Sequence, residues 1–273
     1  MVEMSESVMT RSAALAALAW WRDAGVDTLV DDAPRDWLAV ASSPERVPSP
    51  PGRGKGWADE QGAPVQPVPP RERPPLTPPR RGGGADLAAL TAALAACNTL
   101  EALRQAVETI RTRPIFADGD SASGVMIVGE TAAPDDDSTG KPFSGPAGAL
   151  LDKMLAAIGR DRSSTYISNL LLWRGFGQAT AADIATGAAI LRRHIELAKP
   201  RAVLVMSGVA AKALLDTNVG ITQLRGHWVD QMVGDHKLAL LPTFNPAYLL
   251  RYPAHKRMAW ADLLMFKAKI DAN

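Results

Sequence analysis

The feature that most constrains this chain is the stretch over residues 124–155, GVMIVGETAAPDDDSTGKPFSGPAGALLDKML. It opens on Val125-Met126-Ile127-Val128, a run with the length and β-branched content of a strand buried on both faces. Gly129-Glu130 ends the run and leads into a small acidic loop punctuated by Gly and Pro. A second glycine cluster, Ser144-Gly145-Pro146-Ala147-Gly148, then enters an apolar helical pattern at Leu150, Leu151, Met154, Leu155 and Ile158. Strand, loop and helix in that order form the unit of an open α/β sheet, which holds its ligand at the carboxyl ends of the strands.

The same grammar recurs downstream. Tyr166-Ile167-Ser168-Asn169-Leu170-Leu171 predicts a second strand, Ala202-Val203-Leu204-Val205-Met206 a third and Leu238 to Leu241 a fourth. Helical patterns over 181–198, 209–215 and 253–270 separate and follow them, and residues 86–110 read as two further helices, the first capped by Asp86. Strands alternating with helices predict a three-layer α/β/α sandwich around a central, mainly parallel sheet of four strands. That domain spans residues 86–273. Ahead of it, residues 1–41 carry Leu15, Leu18, Trp21 and Val26 on an alanine-rich pattern, a short helical extension. Residues 42–85 hold more than half of the 21 prolines and close on Gly82-Gly83-Gly84. A segment so poor in apolar side chains cannot offset its chain entropy, so it reads as an extended tether, with a proline-binding protein as an alternative partner.

Composition removes several classes. The formal net charge of +1 predicts no bulk attraction to polyanions, so any nucleic-acid contact must rest on local patches. Cys97 is the only cysteine, which excludes intramolecular disulfides and any all-cysteine metal site within the chain. His194, His227, His236 and His255 show no metal-binding spacing. No run approaches the ~20 apolar residues of a membrane span, and the N-terminus lacks the order of a signal peptide. These features point to a cytoplasmic monomer.

Each predicted strand end carries a side chain with chemical use. Glu130, after Gly129, offers a carboxylate that can orient a water. Phe143, in Lys141-Pro142-Phe143-Ser144-Gly145, offers an aromatic face for a planar ligand. Asn169 offers an amide that donates and accepts at once, which suits the edge of a pyrimidine. Asn245 ends the fourth strand before Pro246, and Ser207-Gly208 opens a helix whose free amides can hold a phosphate. Singly, each is more often structural; together they describe a pocket.

These residues carry a resemblance. Gly129-Glu130, the run from Gly140 to Gly148, Tyr166-Ile167-Ser168-Asn169, the run from Ala210 to Leu215, Gly220-Ile221-Thr222-Gln223-Leu224-Arg225-Gly226 and Asn245-Pro246-Ala247-Tyr248-Leu249-Leu250-Arg251 resemble the bacterial family-4 uracil-DNA glycosylases of the uracil-DNA glycosylase superfamily. The resemblance implies a DNA-repair hydrolase that cuts the N-glycosidic bond of uracil after flipping the base from DNA. It implies that Phe143 stacks on uracil, that Gly129 and Asn169 line the base site and that Asn169 reads the polar edge against cytosine. Glu130 then positions or activates the attacking water. Leu249 falls where the superfamily places a wedge into the duplex, and Ser144, Ser207, Arg251, Lys256 and Arg257 fall near DNA phosphates.

Three departures qualify that expectation. The family binds a four-iron cluster through four cysteines, whereas here Trp173 and Gly187 stand at two of those places and Arg111-Thr112-Arg113-Pro114 lacks a third. The chain is therefore expected to carry no cofactor and no metal. Asn245 replaces the family's histidine, and a misplaced donor there costs about 10²–10³ in rate. Gly129-Glu130-Thr131-Ala132-Ala133 lacks the family's Pro-Gly, and the acidic run Asp135-Asp136-Asp137 reads as a solvated face. The expected function is a cluster-free uracil-DNA glycosylase, weak or altered in specificity. The alternatives are a non-catalytic DNA-binding accessory protein and, further off, a nucleoside-binding protein.

Overall fold

The computed structural model describes residues 84–111, 113–174 and 178–272. The expected helical extension over 1–41 and the tether up to residue 83 lie outside the described residues.

Six strands form one sheet in the order β1-β3-β2-β4-β6-β5: β1 (Asp118–Gly119), β2 (Val125–Thr131), β3 (Tyr166–Leu171), β4 (Ala202–Val205), β5 (Val229–Val233) and β6 (His236–Pro242). The four central strands are parallel, as expected, and the two edge strands run antiparallel to their neighbours. The sequence reading missed both edges. β1 is two residues long, too short for any periodicity. β5 was legible: Val229, Gln231 and Val233 alternate with Asp230 and Met232 ahead of Gly234-Asp235, a Gly-first pair suited to a tight hairpin turn.

The central strands are largely buried on both faces, and their side chains sort by parity. Val125, Ile127, Ile167, Ala202, Leu204 and Leu241 face one core, completed by α4 (Pro146–Ala157) and α9 (Lys256–Asp271). Met126, Val128, Tyr166, Leu170, Val203, Val205, Leu238 and Leu240 face the other. That second core is covered by α1 (Gly84–Ala95), α2 (Leu100–Ile110), α5 (Ala181–Ala198) and α6 (Gly208–Leu215). The result is the three-layer sandwich. Helix α1 starts at Gly84, two residues ahead of the expected cap position, and Thr99 caps α2 by accepting from the Ala102 amide. The remaining helices are short: α3 (Pro134–Thr139), α7 (Ile221–Leu224) and α8 (Pro246–Arg251), with 3₁₀ turns at Arg162–Ser164 and Pro253–His255. Among the described residues no helix is long and apolar enough to cross a membrane.

From β2 the chain steps outward to β3, then returns across the sheet to β4 on the other side of β2. The crevice of such a sheet opens where the winding reverses, outside the carboxyl ends of β2 and β4. Glu130 and Ser207 stand there.

Candidate active site

The floor of the site is set by strand register. Gly129 on β2 pairs with Asn169 on β3. A Cβ on residue 129 would lie 2.1 Å from Asn169 Oδ1 and 2.5 Å from Phe143 Cζ, so only glycine lets the amide and the ring close over the strand. Asn169 is 2 % exposed, and neither its Oδ1 nor its Nδ2 has a hydrogen-bond partner. A buried polar group left unpaired costs about 1–3 kcal/mol, so such a group in a native fold calls for an explanation. A ligand edge supplies one.

Phe143 reaches this floor from a strained position. Its φ of 57° lies in the left-handed region, which costs a residue with a Cβ about 1–2 kcal/mol. Two anchors hold it. In front, Asp136 accepts from the Ser144 amide through Oδ1 (2.8 Å) and from the Ala133 amide through Oδ2 (2.9 Å). Behind, Arg162 donates from Nη1 to the Pro142 carbonyl (3.0 Å) and from Nη2 to the Phe143 carbonyl (2.6 Å). Arg162 is itself fixed by Asp152 (2.7 Å) and Asp118 (3.0 Å), and Lys141 also reaches Asp118 (3.1 Å). Burial pushes the Asp118 carboxyl up, but Arg162 and Lys141 together outweigh it and hold the group below the ordinary aspartate value. Burial likewise pulls the Arg162 guanidinium down, and Asp118 and Asp152 overcome this and raise it. Gly148 permits the close approach, since a Cβ there would sit 1.6 Å from the Phe143 carbonyl oxygen.

This corrects the reading of the acidic run. Asp135 and Asp137 are exposed, but Asp136 is 1 % exposed and ties the two ends of the loop together. No pattern in Asp-Asp-Asp shows which carboxylate turns inward; only the folded loop decides it.

The third wall comes from the end of β4. Ser207 caps α6, accepting from the amides of Val209 and Ala210 (3.1 Å each), and donates to Glu130 Oε2 (2.9 Å). Glu130 Oε1 has no protein hydrogen bond among the described residues, and Glu130 lines the cavity. Asn245 caps α8 by accepting from the Ala247 amide (2.8 Å), and its Nδ2 donates to the Met206 carbonyl (3.0 Å). One N–H of that amide is left over. Glu130 and Asn245 are thus tied to adjacent residues of one corner, Met206-Ser207.

Glu130, Phe143, Asn169, Asn245 and Arg251 line a single cavity of about 540 Å³ together with Arg174 and Tyr248. Other expected site residues sit elsewhere. Ser207 is 2 % exposed with its hydroxyl fully engaged, so it holds Glu130 and does not present a phosphate site. Ser144 turns its hydroxyl onto Thr139 (2.5 Å) and the Lys141 carbonyl (2.8 Å), closing its own loop. Leu249 is fully buried in the core, because the turn of α8 points it inward; the exposed apolar side chains beside it are Leu250 and Tyr252. Lys256 is 6 % exposed and belongs to the packed start of α9, whereas Arg251 and Arg257 are exposed. Sequence reading missed Arg162 altogether and took Asp136 for part of a solvated face. Arg162 has no local signal, since it acts across long gaps in the chain.

The residues at the places where a cluster would sit do not fit four thiolates. Trp173 is 8 % exposed, its carbonyl accepts from Thr131 Oγ1 (3.1 Å), and the Arg111 guanidinium lies 5.1 Å from its ring centre. Arg111 also pairs with Asp183 (3.1 Å). At Gly187 a Cβ would meet the Leu170 carbonyl at 2.5 Å and a Leu171 methyl at 2.7 Å, so α5 packs on β3 where a ligating side chain has no room. Cys97 is buried and points its thiol at the Ala93 carbonyl (3.6 Å). No group of three or more His, Cys, Asp and Glu suited to a metal occurs among the described residues.

Comparison with known proteins finds relatives of one kind. The type-4 uracil-DNA glycosylase of Thermotoga maritima is 32% identical over 144 residues, covering 52% of this chain and 73% of that protein. The protein of the same name from Pyrobaculum aerophilum is 29% identical over 163 residues, covering 57% and 83%. That of Saccharolobus solfataricus is 25% identical over 170 residues, covering 60% and 79%. The model of the uracil DNA glycosylase superfamily matches residues 116–264, which include every strand end described above, and the chain belongs to that superfamily.

Proposed function

We propose that this chain is a uracil-DNA glycosylase that works without an iron–sulfur cluster. The observation that carries the reading is the Asn169 amide: buried, unpaired at both atoms, and set beside an aromatic ring over a glycine floor. Uracil offers that amide an N–H donor at N3 and an acceptor at O4, the complement of Oδ1 and Nδ2. A flipped base slides between Phe143 and the cavity wall, and its departure from the stack exposes C1′ of the sugar. Glu130, held by Ser207, orients a water on C1′. As the water oxygen bonds to C1′ and passes a proton to Glu130, the N1–C1′ bond breaks and its electron pair leaves on the uracil ring. The second N–H of Asn245, which lines the same cavity, steadies the charge that develops there.

The absence of a cluster is supported by the single cysteine and by the closed packing at Trp173 and Gly187. DNA contact is supported by Arg251, which lines the cavity, and by Leu250 and Tyr252, exposed beside it in the chain. One observation favours a second reading, a DNA-binding protein without catalysis: Asn245 commits its acceptor and one donor to structural bonds.

Single-turnover excision from an oligonucleotide with one uracil, single- and double-stranded, separates the two. The glycosylase reading expects abasic sites with the wild type, little or none with Glu130→Ala or Asn169→Ala, and no iron in the active protein by elemental analysis. Uracil-DNA that is bound but left intact at high protein concentration sinks it and establishes the second reading.

A further inference from the structure

We propose that Arg162 is a positioning residue for base recognition, acting through Phe143; this rests on the glycosylase reading above. The φ dihedral of residue 143 is defined by the carbonyl carbons of Pro142 and Phe143. Those two carbonyls are the ones that the Arg162 guanidinium grips, from Nη1 and Nη2. One rigid planar fork therefore fixes both ends of the strained torsion. The fork cannot drift, because its Nε is held by Asp152 and its Nη1 also by Asp118. Asp118 lies on the edge strand β1, so a two-residue strand is recruited to hold the clamp.

The strain is otherwise unexplained. An uncommon left-handed Phe relaxes if nothing over-determines it, and relaxation would swing the ring away from Asn169 and Gly129. The ring lies 8 % exposed with its edge close above the unpaired amide, so its pose and the width of the slot for a base are one quantity. Arg162 itself does not line the cavity. It acts on the base only through the ring.

Arg162→Met and Arg162→Lys test this, each alone and in a Phe143→Ala background, with thermal unfolding recorded for every variant. For Arg162→Met the enzyme concentration giving half-maximal single-turnover excision rises about ten- to a hundredfold, the penalty of a misplacement near 1 Å. Inhibition by free uracil weakens by the same factor, because both report the base slot. Arg162→Lys keeps a charge for Asp118 and Asp152 but lacks the fork, and falls between the two. In the Phe143→Ala background Arg162→Met adds no further loss, since the residue it acts through is gone. Arg162→Met that only melts earlier, with wild-type saturation and uracil inhibition, overturns the proposal, as does a full additive loss on top of Phe143→Ala. A wild type that excises nothing removes the glycosylase reading by itself. The preference for uracil- over thymine-containing oligonucleotide in binding, kept or lost in Arg162→Met, then decides the role of Arg162.

Discussion

Asn169 shows how a functional residue differs energetically from its neighbours. Among the described residues, the buried side-chain atoms left without a partner belong to only this amide and His194. Replacing it with Ala removes an unpaired group that costs about 1–3 kcal/mol, so Asn169→Ala is expected to unfold no earlier than wild type. The same change lowers single-turnover excision about a hundredfold or more, as removal of a preorganised donor does. Calorimetry beside the excision assay checks both; a variant that melts early would mark Asn169 as a structural residue. Ser207 is the opposite case, since it supports the fold and the site at once. Ser207→Ala loses a helix cap worth about 1 kcal/mol and also frees Glu130. Excision should fall in Ser207→Ala and recover in Ser207→Thr, which restores the hydroxyl. Both residues were visible in the sequence as types at strand ends, and the amide of Asn169 already suited a base edge, but the role of Ser207 was not visible. A serine before a glycine reads as a cap or a phosphate ligand, and only the distance to Glu130 separates these.

At the scale of the element, the short helix α8 divides its side chains between two tasks. Leu249 enters the core and Leu250 faces outward beside Tyr252, so one position decides which leucine can meet a duplex. Leu250→Ala is expected to slow excision from duplex while leaving single-stranded substrate unchanged, because a wedge matters only where a stack must be opened. Leu249→Ala should instead cost about 2–5 kcal/mol of stability, read from the urea midpoint. Equal effects of Leu250→Ala on both substrates would remove the wedge role. The motif Pro246-Ala247-Tyr248-Leu249-Leu250-Arg251 cannot reveal this, since adjacent leucines fit either assignment until the helix is docked. The same limit explains α3, where one of three consecutive aspartates turns inward. Longer elements were legible. Helix α5 spans the 181–198 that its helical pattern predicts, and Thr180 caps its start.

For the whole molecule, the buried polar contacts join layers that are distant in sequence. His194 on α5 is fully buried, bonded to the Tyr166 hydroxyl (2.8 Å) and stacked on Phe116 (4.4 Å). Burial lowers its pKa from 6.5 to about 3, so the folded protein keeps it neutral while the unfolded chain takes up a proton below about pH 6.5. Its folded pKa is depressed, so stability rises with pH across that window and is lost as pH falls through it, at up to about 1.4 kcal/mol per pH unit. Urea midpoints between about pH 7.5 and pH 5 should therefore fall in wild type and flatten in His194→Gln. A slope that survives the substitution would assign the acid lability to other groups. By itself the sequence determined the four parallel strands, their helices, and the residue types at each strand end. Period, caps and glycine clusters are properties of neighbouring residues, and they survive without long-range contacts. The tertiary structure decided the two-residue edge strand β1, the inward turn of Asp136, the burial of Leu249 beside an exposed Leu250, and the Arg162 clamp behind Phe143. Each of these depends on a hydrogen bond or a packing contact that forms only once loops and elements dock, and the pattern around a side chain does not encode which partner it will meet.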